Sequence, residues 1–212
     1  MEKRSFISGL LIAVILLLAI GCVTGGSSGG GAPTGCDTGG SSGGGAPTVY
    51  AIGDTGPSGV GIVFYVTDGG LHGLEAAPSD QSTSQVWIEG GSTQTTENGN
   101  TSTAIGTGLA NSNAIIDQTG HAGSAAQVCR SYNGGGLTDW YLPSKDELNA
   151  IWTNLVNNGS GSNSGVGGFA AHHYWSSSED YSFSAWYQSF SNGSQDDYNK
   201  YNSKRVRAVR AF

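Results

Sequence analysis

Between Asp180 and Ser203, 16 of 24 residues are Asn, Asp, Ser or Tyr. The chemistry these side chains do best is recognition. Tyr offers a large, rigid, amphipathic contact at low entropic cost, and Ser, Asn and Asp supply adaptable hydrogen bonds, the combination that antibody paratopes use. They are threaded through a frame of Ala185, Trp186, Gln188, Phe190, Gly193, Gln195 and Lys200. The candidate ligand-binding residues are therefore Asp180, Tyr181, Ser182, Phe183, Ser184, Tyr187, Ser189, Ser191, Asn192, Ser194, Asp196, Asp197, Tyr198, Asn199, Tyr201, Asn202 and Ser203. A plain Ser/Asn-rich turn would explain the composition. It would not explain why Trp186, Gln188 and Phe190 recur with the period of two of a strand that buries one face.

The genetic code gives these types a common origin. An Asn codon AAC becomes Asp, Tyr or Ser when one adenine is replaced, and Phe, the residue at 183, when both are. The segment reads as one Asn-rich template scrambled at its adenines, the protein-level mark of a diversity-generating retroelement, which leaves adenine-free codons untouched. His, Thr and Ile, which single changes would also give, do not occur in it.

Residues for catalysis are not arranged in a recognisable way. His172 and His173 are adjacent, so on a strand they point to opposite faces, and no nucleophile or convergent carboxylate accompanies them. Asp80, Glu89 and Glu97 lie in polar stretches and read as solvated, while Asp139, Asp146 and Glu147 read as turn, cap and helix-dipole residues. The three cysteines form no metal or redox motif. No enzyme activity, metal or cofactor is expected, and a formal charge of −7 argues against nucleic acid as a partner.

Upstream, Lys3 and Arg4 precede an apolar run from Phe6 to Ile20, shorter than the ~20 residues that span a bilayer. Residues 1–21 read as a signal peptide. The run ends Ala19-Ile20-Gly21-Cys22, like a bacterial lipobox with Ala in place of the usual first Leu, so Cys22 is the expected acylated N-terminus. Val23 carries no inner-membrane retention signal, which favours a lipid anchor at the outer membrane or cell surface. Residues 22–48 form a tether in which Gly21–Thr34 is repeated at Gly35–Thr48, Cys36 copying Cys22. Such Gly/Ser-rich sequence is a flexible coil of roughly 25 to 30 Å reach. Whether Cys36 pairs with Cys129 is left open by the sequence.

Residues 49–212 make one domain, with the variable region at about 178–205. Gly61–Val66 reads as a buried strand that turns at Asp68-Gly69-Gly70 into a second strand over Gly73–Ala77. Ser79–Gly108 reads as long loops with a short strand at Val86–Ile88. Helices are expected over Ala110–Gln118 and Ala122–Tyr132, with Cys129 as a small core residue. A third should start at Lys145, with Ser144 and Glu147 as a capping box and Leu148, Ile151, Trp152 and Leu155 as its apolar stripe. Beyond a loop over Asn157–Gly168, strands are expected near His173–Ser177, Ser184–Phe190 and Lys204–Phe212, the last irregular and with arginines that pair with carboxylates.

Four segments, Gly56–Tyr65, Gly73–Pro78, Thr138–Leu148 with its Trp-Tyr-Leu-Pro-Ser, and Tyr174–Glu179 with its Tyr-Trp-Ser-Ser through Val206–Arg210, together resemble a bacterial family of C-type-lectin-like domains. The family occurs in retroelement-diversified lipoproteins and at the C-terminus of a collagen-like surface adhesin. The resemblance implies an α+β fold, mixed small sheets with two or three helices and long loops, in which the N- and C-terminal strands pair. It also implies a scaffold that displays the variable residues on a small sheet and its loops. The paired cysteines of formylglycine-generating relatives and the calcium motifs of sugar-binding relatives have no counterpart here. The expected role is a lipid-anchored surface receptor for a protein or glycan, with a fixed-specificity adhesin or glycan-binding lipoprotein as the alternative.

Palmitate labelling should depend on Cys22. A Cys22→Ser variant should lose both the label and membrane association, and one that kept them would remove the lipid anchor.

Overall fold

The computed structural model describes residues 46–157 and 165–212. The leader over 1–21, Cys22, Cys36 and its pairing, the tether up to residue 45 and most of the loop after Asn157 lie outside the described residues.

Two antiparallel strands open the domain, β1 (Ile62–Thr67) and β2 (His72–Ala76). The turn between them is tight because Asp68, Gly69 and Gly70 all take positive φ, and at Gly70 a Cβ would lie 2.3 Å from the carbonyl oxygen of Tyr50. The chain's last strand, β8 (Val209–Ala211), adds to the other edge of β2, giving the order β1-β2-β8. The C-terminal strand thus pairs with β2 and not, as the resemblance implied, with the first strand. Tyr50 closes this corner edge-on against Phe212, with ring centroids 5.3 Å apart.

The second sheet has five strands in the order β3-β7-β4-β5-β6. They are β3 (Ser82–Val86), β4 (His173–Tyr181), β5 (Ser184–Ser189), β6 (Gln195–Asn199) and β7 (Ser203–Val206). β3 falls before the expected Val86–Ile88, because Trp87 and Ile88 leave the sheet to enter the core. β6 was not expected: its sequence, QDDYN, has no apolar face, and it is held by its register with β5, from Ser184↔Asn199 to Gln188↔Gln195. The single strand expected over Lys204–Phe212 is two strands in different sheets. The break falls at Arg207 and Ala208, where the buried Arg207 guanidinium bonds Asp80 and the carbonyls of Ala77, Gly167 and Gly168. The Ala208 amide donates to Gln81 Oε1.

Helices α1 (Gly108–Ile116), α2 (Ala125–Arg130) and α3 (Lys145–Ile151) follow from local signals. α2 starts later than expected because the Ser124 hydroxyl accepts from the Gln127 amide and fixes the first turn there. α3 has the reciprocal capping box of Ser144 and Glu147, then relaxes into a π turn over Trp152–Val156. Burial pushes the Glu147 carboxyl above its usual range, against the donors Ser144, Gly106 and Gly108 that hold it down.

Two cores result. Phe64, Leu74, Leu148, Ile151, Leu155, Tyr174 and Phe190 pack together, as do Trp87, Ile115, Cys129, Trp140, Leu142, Trp175 and Val206. β4 serves both, since Tyr174 and Trp175 alternate across it. Its following serines, Ser176, Ser177 and Ser178, are buried, and the Ser176 and Ser178 hydroxyls bond the carbonyls of Trp186 and Ser102. The arginines pair as expected: Arg205 and Arg207 with Asp80, and Arg210 with Glu75 and Asp139. Asp80 is therefore a nearly buried ion-pair centre and not a solvated loop residue.

Truncating Trp140 or Trp175 to Ala should cost about 3 to 5 kcal/mol, and Ser144→Ala about 1 to 2 kcal/mol. Phe183→Ser and Asp196→Asn, at exposed positions, should stay within about 0.5 kcal/mol. Urea melts measure all four, and equal losses throughout would deny the division between scaffold and surface.

Candidate functional site

β4, β5 and β6 carry most of the Asn, Asp, Ser and Tyr residues, and the frame residues explain how that surface is held. Ala185, Gln188 and Phe190 are buried. Gln188 Nε2 donates to Asn149 Oδ1 and to the Gly193 carbonyl, and Gln195 Nε2 donates to the Lys145 carbonyl and Gln188 Oε1. Two amide side chains thus clamp the β5–β6 hairpin to α3. Gly193 has φ +79°, and a Cβ there would come within 2.2 Å of the Trp152 indole nitrogen, so the hairpin can carry no larger residue at this point.

At the other end of the sheet the anchor is Lys200. Its ammonium donates to Glu179, to the Thr96 carbonyl at 3.1 Å and to the Ser182 carbonyl at 2.7 Å, and its side chain is fully buried. Glu179 also accepts from the backbone amides of Asn98 and Gly99. Burial lowers the Lys200 pKa, and Glu179 opposes that shift. The Lys200 amide donates to the Phe183 carbonyl, so the β4–β5 and β6–β7 turns lie side by side.

Around these anchors the aromatic side chains face outward. Tyr181 is 63% exposed, Phe183 53%, Tyr201 56% and Tyr198 48%. Ser191, Asn192, Ser194, Asp196 and Ser203 are exposed, and Asp180, Ser182, Asp197, Asn199 and Asn202 are partly so. Tyr181, Ser182, Phe183, Tyr201 and Asn202 gather at the two adjacent turns, and Asn199 Nδ2 donates to Tyr201 Oη at 2.7 Å. Tyr187, Asp196 and Tyr198 share one face of the β5–β6 pair at the sheet edge, whereas Ser191, Asn192 and Ser194 sit on the turn between those strands.

Two of the candidates do not belong to the surface. Ser184 and Ser189 are 1% and 3% exposed. Ser184 Oγ turns to Asp180, and Ser189 bonds Ser191 while pairing with His173 of β4. Both sit at the ends of β5, the strand between β4 and β6. Trp186, a frame residue expected in the core, is half-buried and receives the Lys145 ammonium over its ring at 3.2 Å.

Lys204 was not singled out by the sequence. Its ammonium lies 3.8 Å from the ring centroid of Tyr187, 4.3 Å from that of Tyr198 and 4.8 Å from that of Trp175. The rings attract the charge but also exclude water, and burial lowers the amine to about 8, with Asp196 pulling the other way. Lys204 also lines a cleft with Thr83, His172, His173, Ser203 and Arg205. Burial and Lys204 lower the His173 pKa, so this imidazole is neutral at neutral pH. Lys200 had a visible signal, as the one basic residue between 180 and 203. Lys204 had none, because its cage joins three strands. Among the described residues no three His, Cys, Asp or Glu side chains come together to hold a metal.

Two small sheets, three short helices and long loops that present one polar-aromatic face make this a C-type-lectin-like α+β domain. Residues 77–210 match the model of the Lcl C-terminal domain family, and the chain belongs to that family. The match takes in α1 to α3 and β3 to β7, which carry and support the face described above, and leaves β1 and β2 outside. Among curated proteins none matches the chain.

Replacing Tyr187 and Tyr198 together by Ser, a residue the segment already uses, should open the cage and return the Lys204 titration from about 8 toward 10.5. NMR of the lysine ε-methylene reads this directly, and an unchanged titration would show that the rings are not what desolvates the amine.

Proposed function

We propose that the protein is a receptor, lipid-anchored through Cys22 at the outer membrane or cell surface, whose C-terminal face binds a protein or glycan and is reset by adenine-directed diversification. It acts by recognition, without catalytic turnover. The observation that carries this reading is the division between residue types. Ala185, Gln188, Phe190 and Lys200 are buried and tie the hairpins down, whereas Tyr181, Phe183, Tyr198, Tyr201 and most of the Asn, Asp and Ser residues remain accessible. A segment rewritten at random needs this division, because substitutions at exposed sites usually leave stability within about 0.5 kcal/mol. Exposed Tyr beside short polar residues is also what hot spots with a forgiving periphery are made of.

Resetting the exposed candidate positions to Asn, while keeping Ser184 and Ser189, should abolish binding of a target selected on a protein and glycan array. Circular dichroism and melting should hardly change. Retained affinity would move the site to residues outside the segment, first of all the cleft at His172, His173 and Arg205, and the fixed-specificity adhesin would replace the diversified receptor.

A further inference from the structure

The charges of the domain are unequally committed. Of the nine Lys and Arg in the chain, all but Lys3 and Arg4 lie among the described residues, and every one of those is engaged within the fold. Arg130 bonds the carbonyls of Thr138 and Trp140, and Lys145 covers Trp186. Lys200 is buried on Glu179 and Lys204 is held by three rings. Arg205, Arg207 and Arg210 are in ion pairs. The carboxylates at the aromatic face are less committed: Asp180 accepts from the Ser184 hydroxyl and Asp196 from the Asp197 amide, and Asp196 also acts on the Lys204 ammonium. Asp180, Asp196 and Glu97, the last exposed in the loop that receives the Lys200 ammonium, are in no salt bridge among the described residues.

Resting on the reading of this face as the ligand site, we propose that it takes an arginine-rich segment of a partner protein. Tyr181, Phe183 and Tyr201 offer exposed rings on which a guanidinium stacks, and the three carboxylates accept its forked donors. The free charge available to a ligand here is negative, and the Asn, Asp, Ser and Tyr set brings no cation of its own. An acidic ligand would meet like charge with no free lysine or arginine to receive it. Lys, a compact and strongly hydrated charge, gains less from the rings than Arg does.

The test uses the acylated full chain in neutral detergent micelles and a fluorescent, blocked peptide alternating Arg with Gly, read by anisotropy. The Arg peptide should bind, and a counterpart with Gln for each Arg should not. Affinity should fall about fivefold or more in Glu97→Gln/Asp180→Asn/Asp196→Asn and in Phe183→Ser/Tyr201→Ser. It should fall less than about twofold in Asp54→Asn/Asp68→Asn/Asp117→Asn, which removes the same charge from exposed sites elsewhere. Equal losses in the two charge-removal variants, or equal binding of the Gln peptide, would overturn the proposal. No binding of the Arg peptide, while an array-selected target is lost on resetting to Asn, would overturn the partner chemistry and leave the receptor face standing. Binding of the Arg peptide that survives the reset would overturn both.

Discussion

The polar-aromatic face depends on one buried ion pair. Lys200 and Glu179 sit at the junction of β4, the two neighbouring turns and the loop at Thr96 to Gly99, and both side chains are almost without solvent. A buried ion pair is weak as a source of net stability, yet losing one partner leaves an uncompensated charge that costs about 3 to 5 kcal/mol. Its value here is geometric. The Lys200 ammonium reaches the carbonyl of Ser182 and the Lys200 amide reaches that of Phe183, so the backbone of both turns is held without using any of the exposed candidate side chains.

The same solution recurs at the other end of the sheet. Gln188 and Gln195 hold the β5–β6 hairpin to α3 through carbonyls and each other, and Gly193 lets the turn close against Trp152. Between these clamps β6 needs no hydrophobic face. A strand such as QDDYN would be a poor strand alone, but its ladder to β5 fixes it, and its side chains are free for contact. Tyr187 and Tyr198 are a partial exception, because they also enclose Lys204. Changing them alters both the surface and the charge behind it.

Much of this was legible in the sequence. The capping box at Ser144 and Glu147, the apolar stripe of α3, the turn at Asp68-Gly69-Gly70 and the strand at Ile62 are each signalled within a few residues by side-chain type and spacing. The Asn, Asp, Ser and Tyr bias of the segment from Asp180 to Ser203 likewise needs no fold to be seen. What tertiary structure alone decided is which of those residues face out. Ser184 and Ser189 are chemically like Ser191 and Ser194, but they are buried where β5 meets its neighbours and bond Asp180 and Ser191, so composition could not separate them. The split of the C-terminal strand at Arg207 and the commitment of Asp80 depend on partners more than a hundred residues apart in the chain, and so does the bond from Lys200 to Thr96. Local sequence carries propensity and period, whereas burial and charge pairing belong to residues that only the folded chain brings together.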